Sequence, residues 1–275
     1  MTSHSPTSPR LTPSRAGAQI LQAHLGTGGD IFYLSPRSPV GSVPIRGGVP
    51  VLFPQFADRG PLPKHGLART ALWALVQESK SDEAHSAVFE LALAPRPLGV
   101  WPHAAHLILQ AEASLHGLRL CLQITNTGSS AFSWTGGLHP YFAVDDVQTC
   151  SLTGLAGLRV QDRYDPCLST EPGGAPNWNG QPVERLYGAC PPLTLFTGSR
   201  ALAITANGFE QWMVWNPGHD GGDALPDLPT GDWRRFVCIE PVCVSHPVSL
   251  LPGQVFTGTL DIRVLPYAPT SGESA

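Results

Sequence analysis

Charge is scarce in this chain: Lys and Arg number 17 and Asp and Glu 21 among 275 residues, with no long basic run among them. Without such a run there is no electrostatic footprint for nucleic acid or for an anionic membrane surface. No apolar stretch approaches the roughly 20 residues that a membrane-spanning helix requires. The six cysteines, Cys121, Cys150, Cys167, Cys190, Cys238 and Cys243, contain no C-x-x-C pair, and no cysteine–histidine set has zinc spacing. Several lie in apolar, strand-like runs where a free thiol packs as a small hydrophobe, which reads as a reduced, cytoplasmic protein. The opening MTSHSPTSPRLTPSR lacks the apolar stretch of a secretory signal and reads as a disordered tail over residues 1–15.

Other patterns are missing as well. There is no G-x-S-x-G elbow, and His103 and His106 in HAAH lack the glutamate of a zinc-protease helix. GTGGD at Gly26–Asp30 precedes a strand-like run rather than a helix, so it reads as a hairpin turn and not a nucleotide loop. Serine-hydrolase, metal and nucleotide chemistry therefore fall away, and a small-molecule partner remains.

What the chain has in quantity is glycine and proline, 29 and 28 residues, beside an ordinary apolar fraction of 42%. That combination favours many short strands joined by turns. Segments such as AQILQAHL, SAVFELAL, HLILQAEASL, LRLCLQITN, QWMVWN and VFTGTLDIRVL fit, and no segment of comparable length has a helical period. The expected architecture is all-β, with antiparallel sheets packed face to face in one domain over residues 16–266 and a tail over 267–275. LRLCLQITN and FSWTGGLHPYF, separated by a polar turn, read as a hairpin, and Thr170–Glu184 reads as a long surface loop.

Three segments stand out chemically. The irregular stretch RGGVPVLFPQFADRGPLPKHGLART carries Arg46, Arg59, Lys64, His65 and Arg69. Glycines there allow close backbone approach to a ligand, and guanidinium forks suit carboxylate or phosphate oxygens. Pairing of these cations with Asp58 or another carboxylate is the alternative. In TGGLHPYF, His139 follows a glycine pair; alone it fits a core histidine as well as a catalyst. In RRFVCIEPVCV, Glu240 is the one acidic group in an apolar run, where lost hydration raises a carboxyl toward the range of a general base unless Arg234 or Arg235 compensates.

Taken in order, RGGVPVLFPQF, LPKHGLART, GGLHPYFAV, WMVWNPG with its downstream Asp-Trp, and FVCIEPVCV…PVSLLPG resemble the glucose-6-phosphate 1-epimerase group, the hexose-6-phosphate mutarotases of the aldose 1-epimerase superfamily. The resemblance extends from about Gly17 to Val264. It implies a galactose-mutarotase-like β-supersandwich that interconverts α and β anomers of a hexose 6-phosphate without cofactor or metal. By position, His139 and Glu240 correspond to the catalytic histidine and glutamate, Arg46 and Arg69 to residues holding the sugar phosphate, and His65 to a loop histidine near the sugar. Lys64 stands where many members have glutamine, and Glu184 where an aspartate contacting substrate is usual. A hexose 6-phosphate is the expected partner, and a monomer is expected. An epimerase of free hexoses and a catalytically silent sugar-binding homologue are the competing readings.

Overall fold

The computed structural model describes residues 8–26, 29–38, 44–95 and 100–266. In chain order the strands are β1 (Arg10–Pro13), β2 (Ile20–His24), β3 (Val51–Leu52), β4 (Ala74–Lys80), β5 (Ala84–Leu93), β6 (Ala105–Ser114), β7 (Gly117–Asn126), β8 (Phe132–Leu138) and β9 (Tyr141–Ala143). They continue with β10 (Ser151–Thr153), β11 (Val160–Asp162), β12 (Val183–Tyr187), β13 (Leu193–Phe196), β14 (Ala201–Asn207) and β15 (Gln211–Asn216). A short helix, α1 (Gly218–Asp223), precedes β16 (Phe236–Leu250) and β17 (Val255–Leu265).

Eight strands form one antiparallel sheet in the order β10-β13-β14-β17-β7-β6-β5-β4, and six form a second in the order β11-β12-β15-β16-β8-β3, with β9 added to β16. Alternation drives the first sheet. In β6 and β7 every second residue is buried, so Leu107, Leu109, Leu118, Leu120, Leu122 and Ile124 enter the core, with partly exposed residues between them. Facing them from the second sheet come Trp212, Val214, Val237 and Ile239, joined to the first sheet in one continuous apolar cluster. The opposite face of the second sheet is also covered: Leu52, Leu186, Met213 and Val242 belong to a smaller cluster with Phe56 and Ala57. Burial on both faces explains why FVCIEPVCV is apolar without alternation.

The structure departs from three local expectations. Strands β7 and β8 are not a hairpin: β7 pairs with β6 and β17, whereas β8 pairs with β16 and β3 in the other sheet. The corner is fastened by the buried Asn126 side chain, whose amide donates to the Ser130 and Leu250 carbonyls and whose oxygen accepts from the Gly128 N–H. The stretch expected as a surface loop over Thr170–Glu184 sends Glu171 and Trp178 inward, and its last two residues begin β12. Glu171 accepts from Arg185 and from the Tyr187 hydroxyl, a buried network that holds the loop down. Within the expected tail, Arg10–Pro13 form β1 on β2; residues 1–7 and 267–275 lie outside the described residues.

Near its end, before Leu138, strand β8 carries Gly136-Gly137, squeezed between β3 and β16. Both have positive φ, 146° and 150°. A methyl group at Gly136 would overlap the Leu52 carbonyl oxygen, and one at Gly137 the Pro241 carbonyl oxygen. Gly137→Ala is therefore expected to lower stability by about 2–3 kcal/mol, read as a shift in the urea midpoint at unchanged slope. An unchanged midpoint would show that β16 yields at this point.

Candidate functional site

The positions opposite one another on the second sheet build the floor of a cavity. Gly137 lies opposite Val242 and Tyr141 opposite Cys238, a register that carries His139 to the position across from Glu240. Met213 pairs with Glu240 and Leu186 with Met213, so one row runs Leu186, Met213, Glu240, His139. The adjacent row runs Glu184, Trp215, Cys238, Tyr141. His139 itself is outside the strand ladder: its N–H donates to the Pro50 carbonyl, and Pro140 after it has no N–H to give.

His139 Nε2 stands 3.3 Å from Glu240 Oε1, and both side chains are buried. Neither Arg234 nor Arg235 reaches Glu240; Arg234 is paired with Asp146 at the surface. His139 Nδ1 and Glu240 Oε2 have no hydrogen-bond partner among the described residues. Buried polar atoms are rarely left so, and both belong to side chains that line the cavity. The Tyr141 ring stacks on the His139 ring at 4.8 Å and 10°, which fixes the imidazole plane. Burial pushes the Glu240 carboxyl well above its ordinary range, helped by the Glu184 charge and opposed by Lys64. Burial likewise holds His139 well below 6.5, with His65 and Arg69 adding to it. The two shifts agree: a dry floor favours one shared proton over an ion pair.

The walls come from distant segments. The loop from Gln55 to His65 is organised by the buried Gln55 amide, which donates to the Ala57 and Leu62 carbonyls and accepts from the Leu62 N–H. His65 has φ 65°, an uncommon conformation for a residue with a side chain, and its N–H donates to the Ala57 carbonyl at 2.7 Å. Its Nδ1 accepts from the Ala57 N–H at 3.2 Å, so the neutral ring carries its proton on Nε2 as a donor. The ring packs edge-on against His139 at 5.5 Å.

Arg46, Lys64 and Arg69 line the same cavity. Arg46 is not free: its Nε donates to Asp227 at 2.7 Å and one terminal nitrogen reaches the Tyr141 hydroxyl at 3.4 Å. Arg69, set by a single 3-10 turn over Ala68–Thr70, has no hydrogen bond or ion pair through its guanidinium among the described residues. Glu184 also lines the cavity, held by Arg163 at 3.0 and 3.2 Å. All seven residues singled out from the sequence thus meet in one cavity: His139, Glu240, Arg46, Lys64, His65, Arg69 and Glu184. Arg59, in the same loop, does not line it and lies over the Phe56 ring. Asp227, Tyr141, Trp215 and Arg163 are further lining residues that sequence reasoning did not single out. Tyr141 had a signal, its place two residues after His139; Asp227 and Arg163 had none.

The model of the family described as Aldose 1-epimerase matches residues 6–184. The chain belongs to the aldose 1-epimerase family. A relative from Cenchrus ciliaris named "Putative glucose-6-phosphate 1-epimerase" is 28% identical over 276 residues, covering 94% of this chain and 82% of the relative. A relative of the same name from Escherichia coli is 27% identical, with 84% and 78% covered. The crystal structure of a "putative mutarotase" from Salmonella typhimurium superposes with a TM-score of 0.83 at 24% identity, over 94% of this chain and 88% of that one. A galactose 1-epimerase from Lactobacillus acidophilus shares the fold at a TM-score of 0.69 and 15% identity, with 95% and 92% covered. The galactose-mutarotase-like sandwich expected from the sequence is the fold observed.

His65 also sets an acid limit on stability. Burial, then the charges of Arg69 and Lys64, lower its pKa from 6.5 to about 3. The unfolded chain takes up this proton near pH 6.5 and the folded chain does not, so stability falls as pH drops from 6.5 toward 3. His65→Gln is expected to flatten that part of the stability–pH curve, removing a dependence on the order of 4–5 kcal/mol across the window. Curves of wild type and variant that run parallel between pH 6.5 and 4 would contradict the burial of a neutral His65.

Proposed function

We propose that the protein interconverts the α and β anomers of a hexose 6-phosphate, with D-glucose 6-phosphate as its substrate. The observation that carries the phosphate is the unpaired Arg69 guanidinium beside Arg46 in the cavity that holds His139 and Glu240. A half-buried guanidinium without a hydrogen-bonded carboxylate among the described residues has lost part of its hydration, a cost that a dianionic ligand offsets. Lys64 adds a third positive group to the lining. The names of the curated relatives support the same substrate.

Anomer exchange opens the pyranose and closes it again. Glu240 takes the proton of the C1 hydroxyl while His139 gives one to the ring oxygen, and the C1–ring oxygen bond breaks to leave the aldehyde. Rotation about C1–C2 presents the other face, and closure returns both protons by the reverse path. The reaction begins with a carboxylate and an imidazolium, whereas burial on its own favours the neutral pair. Both forms hold one proton in total, and it crosses the 3.3 Å gap once sugar hydroxyls supply hydrogen bonds to the charged groups. Positioned acid and base groups contribute on the order of 10²–10⁴-fold. The His65 Nε2–H offers a neutral donor to the sugar, and the Arg163-held Glu184 carboxylate an acceptor.

The test is the rate of anomer exchange of fresh α-glucose 6-phosphate by proton NMR, with glucose in parallel. Acceleration of the phosphorylated sugar is expected. Arg69→Ala should lower kcat/KM for it by about 10–100-fold, the equivalent of one charge-assisted hydrogen bond, and leave the smaller glucose rate within a few-fold. Equal losses on the two sugars would remove the phosphate from the Arg69 site.

Glu240→Gln should reduce kcat by at least about 100-fold with the melting temperature retained. Because the second proton enters the pair below the ordinary histidine value of 6.5, wild-type kcat/KM should stay level from pH 7 to 6.5 and fall only at lower pH. An acid limb centred at or above pH 7 would contradict the single-proton pair.

A further inference from the structure

Cys238 is buried beneath the cavity floor and takes no part in the proton transfers described above. It faces the same side of β16 as Glu240, two residues away, and lies opposite Tyr141 in the ladder. One ligand atom each from His139, Cys238 and Glu240 all lie within 4.8 Å of one another. We propose that these three side chains form a Zn2+ site at the cavity floor, and that a bound metal ion holds the acid–base pair out of the reaction. The inhibitory half of this proposal rests on the catalytic reading of His139 and Glu240; the metal-binding half does not.

Four observations carry it. The donor set of one imidazole, one thiol and one carboxylate is of the kind that binds Zn2+, and three protein ligands leave a fourth position toward the open cavity. The spacing is close to what the metal needs. Tetrahedral bonds of about 2.0–2.3 Å put ligand atoms roughly 3.3–3.8 Å apart. His139 Nε2 and Glu240 Oε1 already stand at 3.3 Å, so the thiol has about 1–1.5 Å at most to close. The cluster also has spare ligand capacity, since His139 Nδ1 and Glu240 Oε2 are buried without partners among the described residues.

The fourth observation is charge. Cys238 and Glu240 are both buried, and a metal ion takes each as its anion. Neither anion is stable there alone, but a dication between a thiolate and a carboxylate gives a cluster of zero net charge, which a dry site accommodates. On binding, the thiol proton and the proton shared by His139 and Glu240 pass to solvent, and metal–sulfur, metal–nitrogen and metal–oxygen bonds form in their place. Affinity should accordingly rise with pH.

The experiment is calorimetric titration of the whole purified chain with Zn2+, and with Co2+ for its spectrum, beside Cys238→Ala and Cys238→Ser. Circular dichroism and melting verify that each variant is folded, and the serine keeps the shape of the site if the alanine does not fold. One Zn2+ per chain is expected in the wild type, with a thiolate-to-cobalt charge-transfer band. Both variants should lose the band and bind Zn2+ at least tenfold more weakly. Anomer exchange should be inhibited by Zn2+ in the wild type, relieved by glucose 6-phosphate, and resistant in the variants, each rate taken relative to its own metal-free value. Equal Zn2+ affinity in wild type and variants would place the metal at other groups, such as the exposed Cys167 or the surface histidines, and would overturn the site. Cys238-dependent binding to a catalytically active protein without inhibition would overturn the inhibitory half alone. Were the protein inactive on both sugars, the calorimetry and the cobalt spectrum would still decide the metal site.

Discussion

The site depends on one constraint: a carboxyl group placed in the middle of a strand that is covered on both faces. β16 supplies Glu240 without a cation on its own strand to compensate, so the dry position is tolerated only because β8 and its continuation set His139 opposite it. That approach in turn needs the two glycines before His139, where any side chain would hold β3 or β16 away. The stacked Tyr141 and the edge-on His65 then close the flanks of the imidazole. Each of these features would be a defect in an ordinary sheet. Together they set a buried imidazole and a buried carboxyl 3.3 Å apart on the cavity floor.

Much of this was legible in the sequence, and what was not has definite causes. Alternation in β6 and β7 gave both strands, and the unalternating apolar run of β16 made its single glutamate conspicuous. The partner of β7 could not be read, because the same alternation suits a hairpin or a corner between sheets; the choice is made by the Asn126 side chain, whose contact with Leu250 spans 124 residues. Arg46 was recognised as a cation facing a ligand, but its tie to Asp227 crosses 181 residues from a Pro- and Asp-bearing loop with no motif. Sequence pattern reports which residues lose water. It does not report which distant residue meets them.

The same long range marks the walls. Tyr33 donates to Asp232, Ser35 and Arg37 donate to the Asp227 and Leu228 carbonyls, and Arg46 binds the Asp227 side chain. One early segment and one late segment thus latch to each other across the cavity edge, and the floor is complete only when β8, β9 and β16 have paired. Non-local pairing of this kind is slow to form. The site is consequently assembled from segments far apart in the chain and belongs to the finished sandwich, not to any one fragment.

Along β16 Glu240 lines the cavity and Val242 packs with Leu52 and Phe56 on the same side, while 237 and 239 face the space between the sheets. The strand period of two therefore divides heritable change into separate streams: a substitution at 240 alters the cavity floor, and substitutions at 237 and 239 alter the packing between the sheets. The cavity side of this strand can change while the other side keeps the scaffold intact. Only the glycine pair in β8, whose backbone touches both neighbours, belongs to both streams and is closed to either kind of drift.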